Sequence, residues 1–298
     1  MTNAPAPAAA APPASTGSPA PAGANRTVIR PPSGWPLPDV AELWRYRDLL
    51  VLLTSRNVAA RYRQSVLGIG WAVVRPLVSM TIFTLIFGKA VGLEDQLPEG
   101  VPYAAFAFCG LLPWMFFAAA LTGTTESVVV NQGLLTKVYF PRLVLPLSNL
   151  GVAAVDLAIQ LVLLVVVLAI YRFAPGVEAL ALPAFLLLAA AAALAGGLWL
   201  TALNVKYRDV KYAVPFVVQA GTYLSPVIYP PTIIPPDYRL LYYLNPMAGA
   251  IEGVRWSVLG TAPPDWGYVA LSATATAILL ITGAIYFTRT ERTFADII

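Results

Sequence analysis

Few side chains in this sequence could do chemistry, and their spacing argues against work on substrate bonds. There is no histidine, and Cys109 is the single cysteine. His-based proton transfer, Cys/His zinc sites and an internal disulfide are thereby excluded. The acidic residues between apolar runs, among them Glu94, Asp95, Glu99, Glu252 and Asp265, show no pairing beyond adjacent Glu94 and Asp95 that would suit an acid–base couple. No stretch fits G-x-x-x-x-G-K-[ST]. The nearest, Gly88-Lys89-Ala90, lacks the hydroxyl and the preceding glycine, so this chain cannot cradle ATP phosphates by that route. Two charges, Asp156 and Arg75, fall inside long apolar runs, where ionisable groups are costly and mark function. Asp156 admits an ion-relay role or a structural hydrogen-bonding role. Arg75, beside Pro76, is either functional or marks a helix that enters lipid only at Pro76, since proline suits a first helical turn. Arg56, Arg61 and Arg63 cluster just before the first long apolar run, where their stems can snorkel towards phosphates.

The elements that position these residues follow from hydropathy. Of 298 residues, 58% are hydrophobic and 11% charged, with mean hydropathy +0.70, against roughly 25% charge in soluble domains. Runs of about 20 apolar residues fit helices crossing about 30 Å of hydrocarbon, not barrel strands. An all-α membrane protein is expected. Residues 1–24 hold ten Ala and six Pro without a charge, a composition that neither buries a core nor sustains helix. A disordered tail is expected over 1–38, and the prolines rule out a signal peptide. Residues 39–63 read as an interfacial helix, although Arg56 and Arg63 share a side with Leu49 and Leu52, so the amphipath is imperfect. Residues 64–298 then hold six spans, near 66–87, 103–123, 147–171, 179–203, 212–228 and 268–287, the fifth barely long enough to cross. Six spans place both termini on one side. That side receives fifteen of the nineteen Lys and Arg residues, as cytoplasmic loops should. The basic pI near 9.2 is thereby explained without nucleic acid.

Between the fifth and sixth spans, about forty residues carry eight prolines (226, 230, 231, 235, 236, 246, 263 and 264) together with Ile233, Leu240, Leu241 and Leu244. Re-entrant half-helices bury such apolar residues, provided their broken backbone lies in protein or along a water-filled cavity. On the inner side, the connection 126–146 mixes Val129, Leu134, Leu135, Val138, Tyr139 and Phe140 with Asn131, Gln132, Lys137 and Arg142. A surface helix of this kind either docks on a partner or lies on lipid headgroups. Aromatics near the span ends, including Trp71, Tyr223 and Tyr229, form an interfacial belt or a set of faces for sugar rings.

Four stretches then narrow the reading: RYRQSVLGIGWAVVRPL at 61–77, FCGLLPWMFF at 108–117, NQGLLTKVYFPRLVLP at 131–146 and NVKYRDVKY at 204–212. In this order they resemble the permease subunit of type-2 ABC exporters for surface polysaccharides such as O-antigen, capsule and teichoic acid. The resemblance covers about residues 40–298 and is specific to the family, not to the cargo. It implies a homodimer of six-span subunits in the bacterial inner membrane, with both termini cytoplasmic, acting with two ATPase subunits. This chain would hold no cofactor, ATP and Mg²⁺ being bound by the partner subunits, and would move a lipid-linked glycan, O-antigen being the expected cargo. Residue by residue, the resemblance makes Asn131, Gln132, Leu135, Lys137, Tyr139, Phe140 and Arg142 the ATPase-docking coupling helix. It makes Arg56, Arg61 and Arg63 the entrance site for the lipid pyrophosphate. Spans one and five become channel walls, with Trp71, Ser79, Phe83, Tyr223, Ser225 and Tyr229 as lining candidates, and the outer half-helices become the channel mouth. Family members often carry Gln or Asn where Arg75 stands, which argues against a universal role for that charge. Exporters of drugs or lipids share the six-span plan. A membrane glycosyl- or acyltransferase is disfavoured by the shortage of catalytic groups.

Overall fold

A backbone surrounded by hydrocarbon must pair its own N–H and C=O groups, and a helix does so within one segment. The computed structural model describes residues 40–63, 68–135 and 137–297, and among them there are helices and connections but no strand. The Ala/Pro-rich tail expected over 1–38, the start of the first span near Gln64 and Val66, and Thr136 of the inner connection lie outside the described residues.

The order is α1 (Val40–Arg45), α2 (Arg47–Arg63), α3 (Gly70–Phe83, continued by a π-helical stretch Thr84–Ala90), α4 (Tyr103–Val130), α5 (Gln132–Leu135) and α6 (Val144–Ile170). There follow α7 (Leu182–Lys206), α8 (Val210–Leu224), α9 (Pro236–Tyr243), α10 (Pro246–Leu259) and α11 (Trp266–Ile297). Among the described residues, five helical segments are long and apolar enough to cross a membrane: Gly70–Ala90, Tyr103–Val130, Val144–Ile170, Val177–Lys206 and Trp266–Glu291. These match five of the six expected spans. The remaining one, α8, has 15 residues, about 22 Å at 1.5 Å per residue, short of the roughly 30 Å of hydrocarbon. The chain leaves helical geometry at Ser225, in extended conformation, immediately before Pro226.

Two other expectations change. Pro76 is not in a first helical turn: α3 begins at Gly70 and carries Pro76 in its interior. Arg75 therefore lies within the helix and not ahead of it. The inner connection is not a surface helix either. Residues 126–130 continue α4 and 144–146 begin α6, and between them the described helix is the single turn Gln132–Leu135, because Val138, Tyr139 and Phe140 are poor helix formers in sequence before Pro141, which disfavours helix at the residue preceding it.

α4 is the buried axis of the bundle, and α7 and α6 pack along it. Small residues bring α4 and α7 together. A Cβ at Gly197 would lie 2.8 Å from Thr124 Cβ, so only glycine permits this approach. Across the same seam Thr201 Oγ1 donates to Thr124 O (2.7 Å) and Asn204 Nδ2 donates to Thr125 O (3.1 Å). Close backbones joined by hydroxyl and amide bonds are how helices adhere where lipid removes the hydrophobic drive. One apolar cluster joins α4, α6, α7 and α10 through Phe106, Leu112, Leu157, Leu164, Phe185, Ala193, Ile251 and Val254. A second, through Leu53, Phe140, Leu145, Leu198, Phe287 and Phe294, ties α2 and the inner connection to the ends of α7 and α11.

Candidate functional site

α2 packs lengthwise against the first half of α6. Thr54 Oγ1 donates to Ser148 O (3.3 Å), and seven residues further along α2 the Arg61 guanidinium pairs with the Asp156 carboxylate. Seven residues on α2 against eight on α6 is a parallel register. Tyr62 donates its hydroxyl to the other Asp156 oxygen. Burial, reinforced by that carboxylate, pushes the Tyr62 phenol up to about 12, so it remains a donor across neutral pH. Between these contacts on α2, Arg56 Nη2 donates to Asn131 Oδ1 (3.0 Å), and Asn131 Nδ2 donates to Ser127 O (2.8 Å). Asn131 thus closes the end of α4 while orienting an arginine 75 residues away.

Together with α3 and α4, this pair of helices encloses a cavity of about 910 Å³, near the upper end of the roughly 300–1,000 Å³ of small-ligand sites. Arg56, Asn131 and Glu126 stand at one end; Arg61, Asp156, Trp71 and Arg75 line the middle; Pro76, Met115 and Gln160 close the far end. The Arg75 guanidinium lies 5.8 Å from the Trp71 ring centroid, a cation–π distance. Three arginines face two carboxylates, Glu126 and Asp156, leaving one net positive charge in the cavity wall. Guanidinium forks match phosphate oxygens in geometry and charge, so this arrangement can hold a phosphate-bearing headgroup.

The predicted site residues separate. Arg56 and Arg61 meet in the cavity, whereas Arg63 lines a different, shallower hollow with Ile69. Arg75, which the sequence comparison with the family discounted, joins the first two. Trp71 lines the cavity; Ser79 and Phe83 lie further along α3, where Phe83 meets Phe87 edge-on at 5.8 Å. Tyr223 is exposed, while Ser225 is buried and accepts from Asn245 Nδ2 (2.8 Å). Tyr229 donates its hydroxyl to Tyr223 O (3.1 Å). On the inner connection Gln132, Lys137 and Tyr139 point outward, whereas Phe140 is buried and Arg142 lies over the Phe294 ring (5.8 Å). Its exposed side chains therefore ride on a well-anchored segment.

A cluster not foreseen from sequence fixes the segment after α8. Arg255 on α10 is 3% exposed. Its Nη2 donates to Val227 O (2.7 Å), Nη1 to Tyr229 O (3.3 Å) and Nε to Phe106 O (3.4 Å). The Tyr103 hydroxyl donates to the carbonyl between them, Ile228 O (2.6 Å). Three consecutive carbonyls that no helix or sheet satisfies are thus capped by side chains. A Cβ at Gly110 would fall 2.5 Å from Val227 O and 2.6 Å from Arg255 Nη2, so that glycine leaves the gap through which the arginine reaches. Burial draws the Arg255 guanidinium down to about 10, still charged at neutral pH.

A helical bundle with several membrane-length helices and an arginine-lined cavity defines a multi-pass membrane protein that presents a cationic site within the helices. The chain belongs to the ABC-2 type transporter family, whose signature matches residues 48–259. It is 31% identical over 260 residues to the O-antigen export system permease protein RfbA of Myxococcus xanthus, covering 86% of this chain and 98% of that one. Identity to the protein of the same name in Klebsiella pneumoniae is 28% over 252 residues, covering 84% and 95%. The polysialic acid transport protein KpsM of Escherichia coli is 24% identical over 247 residues, covering 80% and 92%.

Proposed function

We propose that the chain is the membrane-spanning subunit of an ATP-driven exporter that moves a lipid-linked polysaccharide, O-antigen in the first instance, out of the cytoplasm across the bacterial inner membrane. The observation that carries the reading is the cavity in which Arg56, Arg61 and Arg75 converge between α2, α3, α4 and α6. A pyrophosphate joining lipid to glycan is the part of such a cargo that arginines recognise. The names of the relatives at 28–31% identity supply the cargo class.

In this reading α8 is a sixth crossing, completed by the extended residues after Leu224, and both termini face the cytoplasm. The tail 1–38 precedes an interfacial helix within 39–63 and a transmembrane domain over 64–298. α9 and α10 are the re-entrant pieces at the outer face. Two copies of the chain pair so that α3 and α8, whose Val78, Ile82, Phe216 and Val217 are exposed, line the channel. Gln132, Lys137 and Tyr139 on the inner connection dock a separate ATPase subunit, which binds ATP and Mg²⁺. Hydrolysis thus belongs to the partner, and this chain acts on no bond itself.

The test replaces Arg56 and Arg61 with Gln, together with Asp156→Asn so that no carboxylate is left unpaired. Surface glycan falls to background while the chain stays in the membrane at normal abundance. Normal surface glycan in that variant, or failure of any Walker-type ATPase to co-purify from native membranes, overturns the reading.

A further inference from the structure

The far end of the arginine-lined cavity is closed by Gln160 on α6, one helical turn beyond Asp156. Asn149, Asp156 and Gln160 all line the cavity from this helix. Spacings of seven and four residues put them on one stripe. Gln160 is 6% exposed, and among the described residues no donor reaches its Oε1. A buried carbonyl oxygen without a donor is destabilising, so the position calls for a ligand that supplies an N–H or O–H.

The donor cannot come from the phosphates. A pyrophosphate diester at neutral pH offers only acceptors, and a polyprenyl chain offers neither donor nor acceptor. The sugar attached to the pyrophosphate is the one part of a lipid-linked glycan that carries hydroxyl donors, and an acetamido sugar adds an N–H. Four residues at 1.5 Å each place Gln160 about 6 Å along α6 from Asp156, where Arg61 is held. A phosphate on the arginines therefore leaves the next group of the ligand at Gln160. Trp71, 45% exposed, offers an aromatic face in the same cavity on which a pyranose can pack.

Resting on the reading of the cavity as a pyrophosphate site, we infer that Gln160 is a specificity-determining residue that accepts a hydrogen bond from the first sugar of the cargo. The arginines hold the charge common to polyprenyl pyrophosphates. Gln160 separates a lipid that bears a sugar from one that does not.

The experiment uses the full chain with its ATPase partner in lipid nanodiscs and two probes of equal charge: a polyprenyl pyrophosphate capped as its methyl ester, and the same lipid pyrophosphate carrying a single N-acetylglucosamine. The wild type binds the sugar-bearing probe about five- to tenfold more tightly, the range expected of one hydrogen bond to an otherwise unpaired buried acceptor. Gln160→Met removes the acceptor at similar length and binds both probes equally, with affinity for the sugar-free lipid unchanged. Gln160→Leu does the same and guards against a folding defect peculiar to methionine. If both variants keep the wild-type preference, or weaken both probes alike, the inference fails while the arginine reading stands. If the wild type binds neither probe, the pyrophosphate reading falls and takes the inference with it.

Discussion

Replacing Arg255 with methionine keeps the aliphatic stem and removes the five-donor head, and its cost can be worked from the contacts. The bond to Val227 O at 2.7 Å is short and charge-assisted; those to Tyr229 O and Phe106 O, at 3.3 and 3.4 Å, are long. A bond from a charged donor contributes about 1.5–3 kcal/mol and a weak one about 0.5–1. Cation–π contact with the Phe106 ring, 3.6 Å from centroid to Cζ, adds about 1–2 kcal/mol in a desolvated site. Against these, the variant no longer buries a guanidinium, a penalty of several kcal/mol for a charge fully removed from water. Methionine leaves the carbonyls of Val227 and Tyr229 without the donor they have here, however, so a net loss of about 2–4 kcal/mol remains. At roughly 2–4 °C per kcal/mol for a chain of this order of size, the apparent Tm of the detergent-solubilised protein falls by about 4–16 °C. Limited proteolysis reports where the damage lies: new cleavage falls within 225–236 while α4 stays protected. Arg255→Lys, which can satisfy one carbonyl but not three, falls between wild type and methionine. A methionine variant within 2 °C of wild type, with no new cleavage, would refute the claim that this side chain holds the outer segment.

Three further outcomes follow from the packing. Arg61→Asp and Asp156→Arg each lower the abundance of folded chain, and the double exchange restores it, as measured by fluorescence-detected size exclusion; the pair is half-exposed on the arginine side, so each single loss is modest, about 1 kcal/mol in stability apart from the cost of an unpaired charge. Gly197→Val forces α4 and α7 apart at Thr124 and lowers the apparent Tm by about 2–12 °C, from overpacking of roughly 1–3 kcal/mol, whereas Gly133→Ala, with open space around its Cβ position, changes it by less than 2 °C. Charge reversal at Lys137 together with Arg142 abolishes co-purification of the ATPase; a complex of normal yield would remove the inner connection from the docking role.

Much of the bundle could be read from hydropathy because membrane helices must be continuous and apolar. The start of α4 at Tyr103 and the reach of α11 from Trp266 lie within a few residues of the apolar runs that predicted them. The polar contacts were less accessible, since each joins residues far apart in sequence. Asp156 seemed a solitary intramembrane charge because its partner Arg61 is 95 residues away on a helix assigned to the interface. Arg255 has no neighbouring charge of its own sign or motif in sequence to mark it; the folded path of 227–229 shows why a full guanidinium is needed there. Arg75 was discounted through family comparison, yet the turn of α3 carries it to the same cavity as Arg56 and Arg61. One clue was available beforehand: Asp156 and Gln160 are four residues apart in an otherwise apolar run, the spacing of a single helix face.

The Arg255 clamp also lies at a boundary between buried and exposed parts of the protein. Residues 227–229 are fastened to α4 and α10, the most deeply buried helices, whereas α8, which leads into them, keeps Phe216, Val217 and Leu224 on its outside. Ser225, where the chain turns extended, lies between the two and accepts from Asn245 Nδ2, and Tyr229 donates its hydroxyl back to Tyr223 O on α8. The exposed helix α8 is thus joined to the residues that Arg255 holds through one buried serine, one proline and one tyrosine hydroxyl.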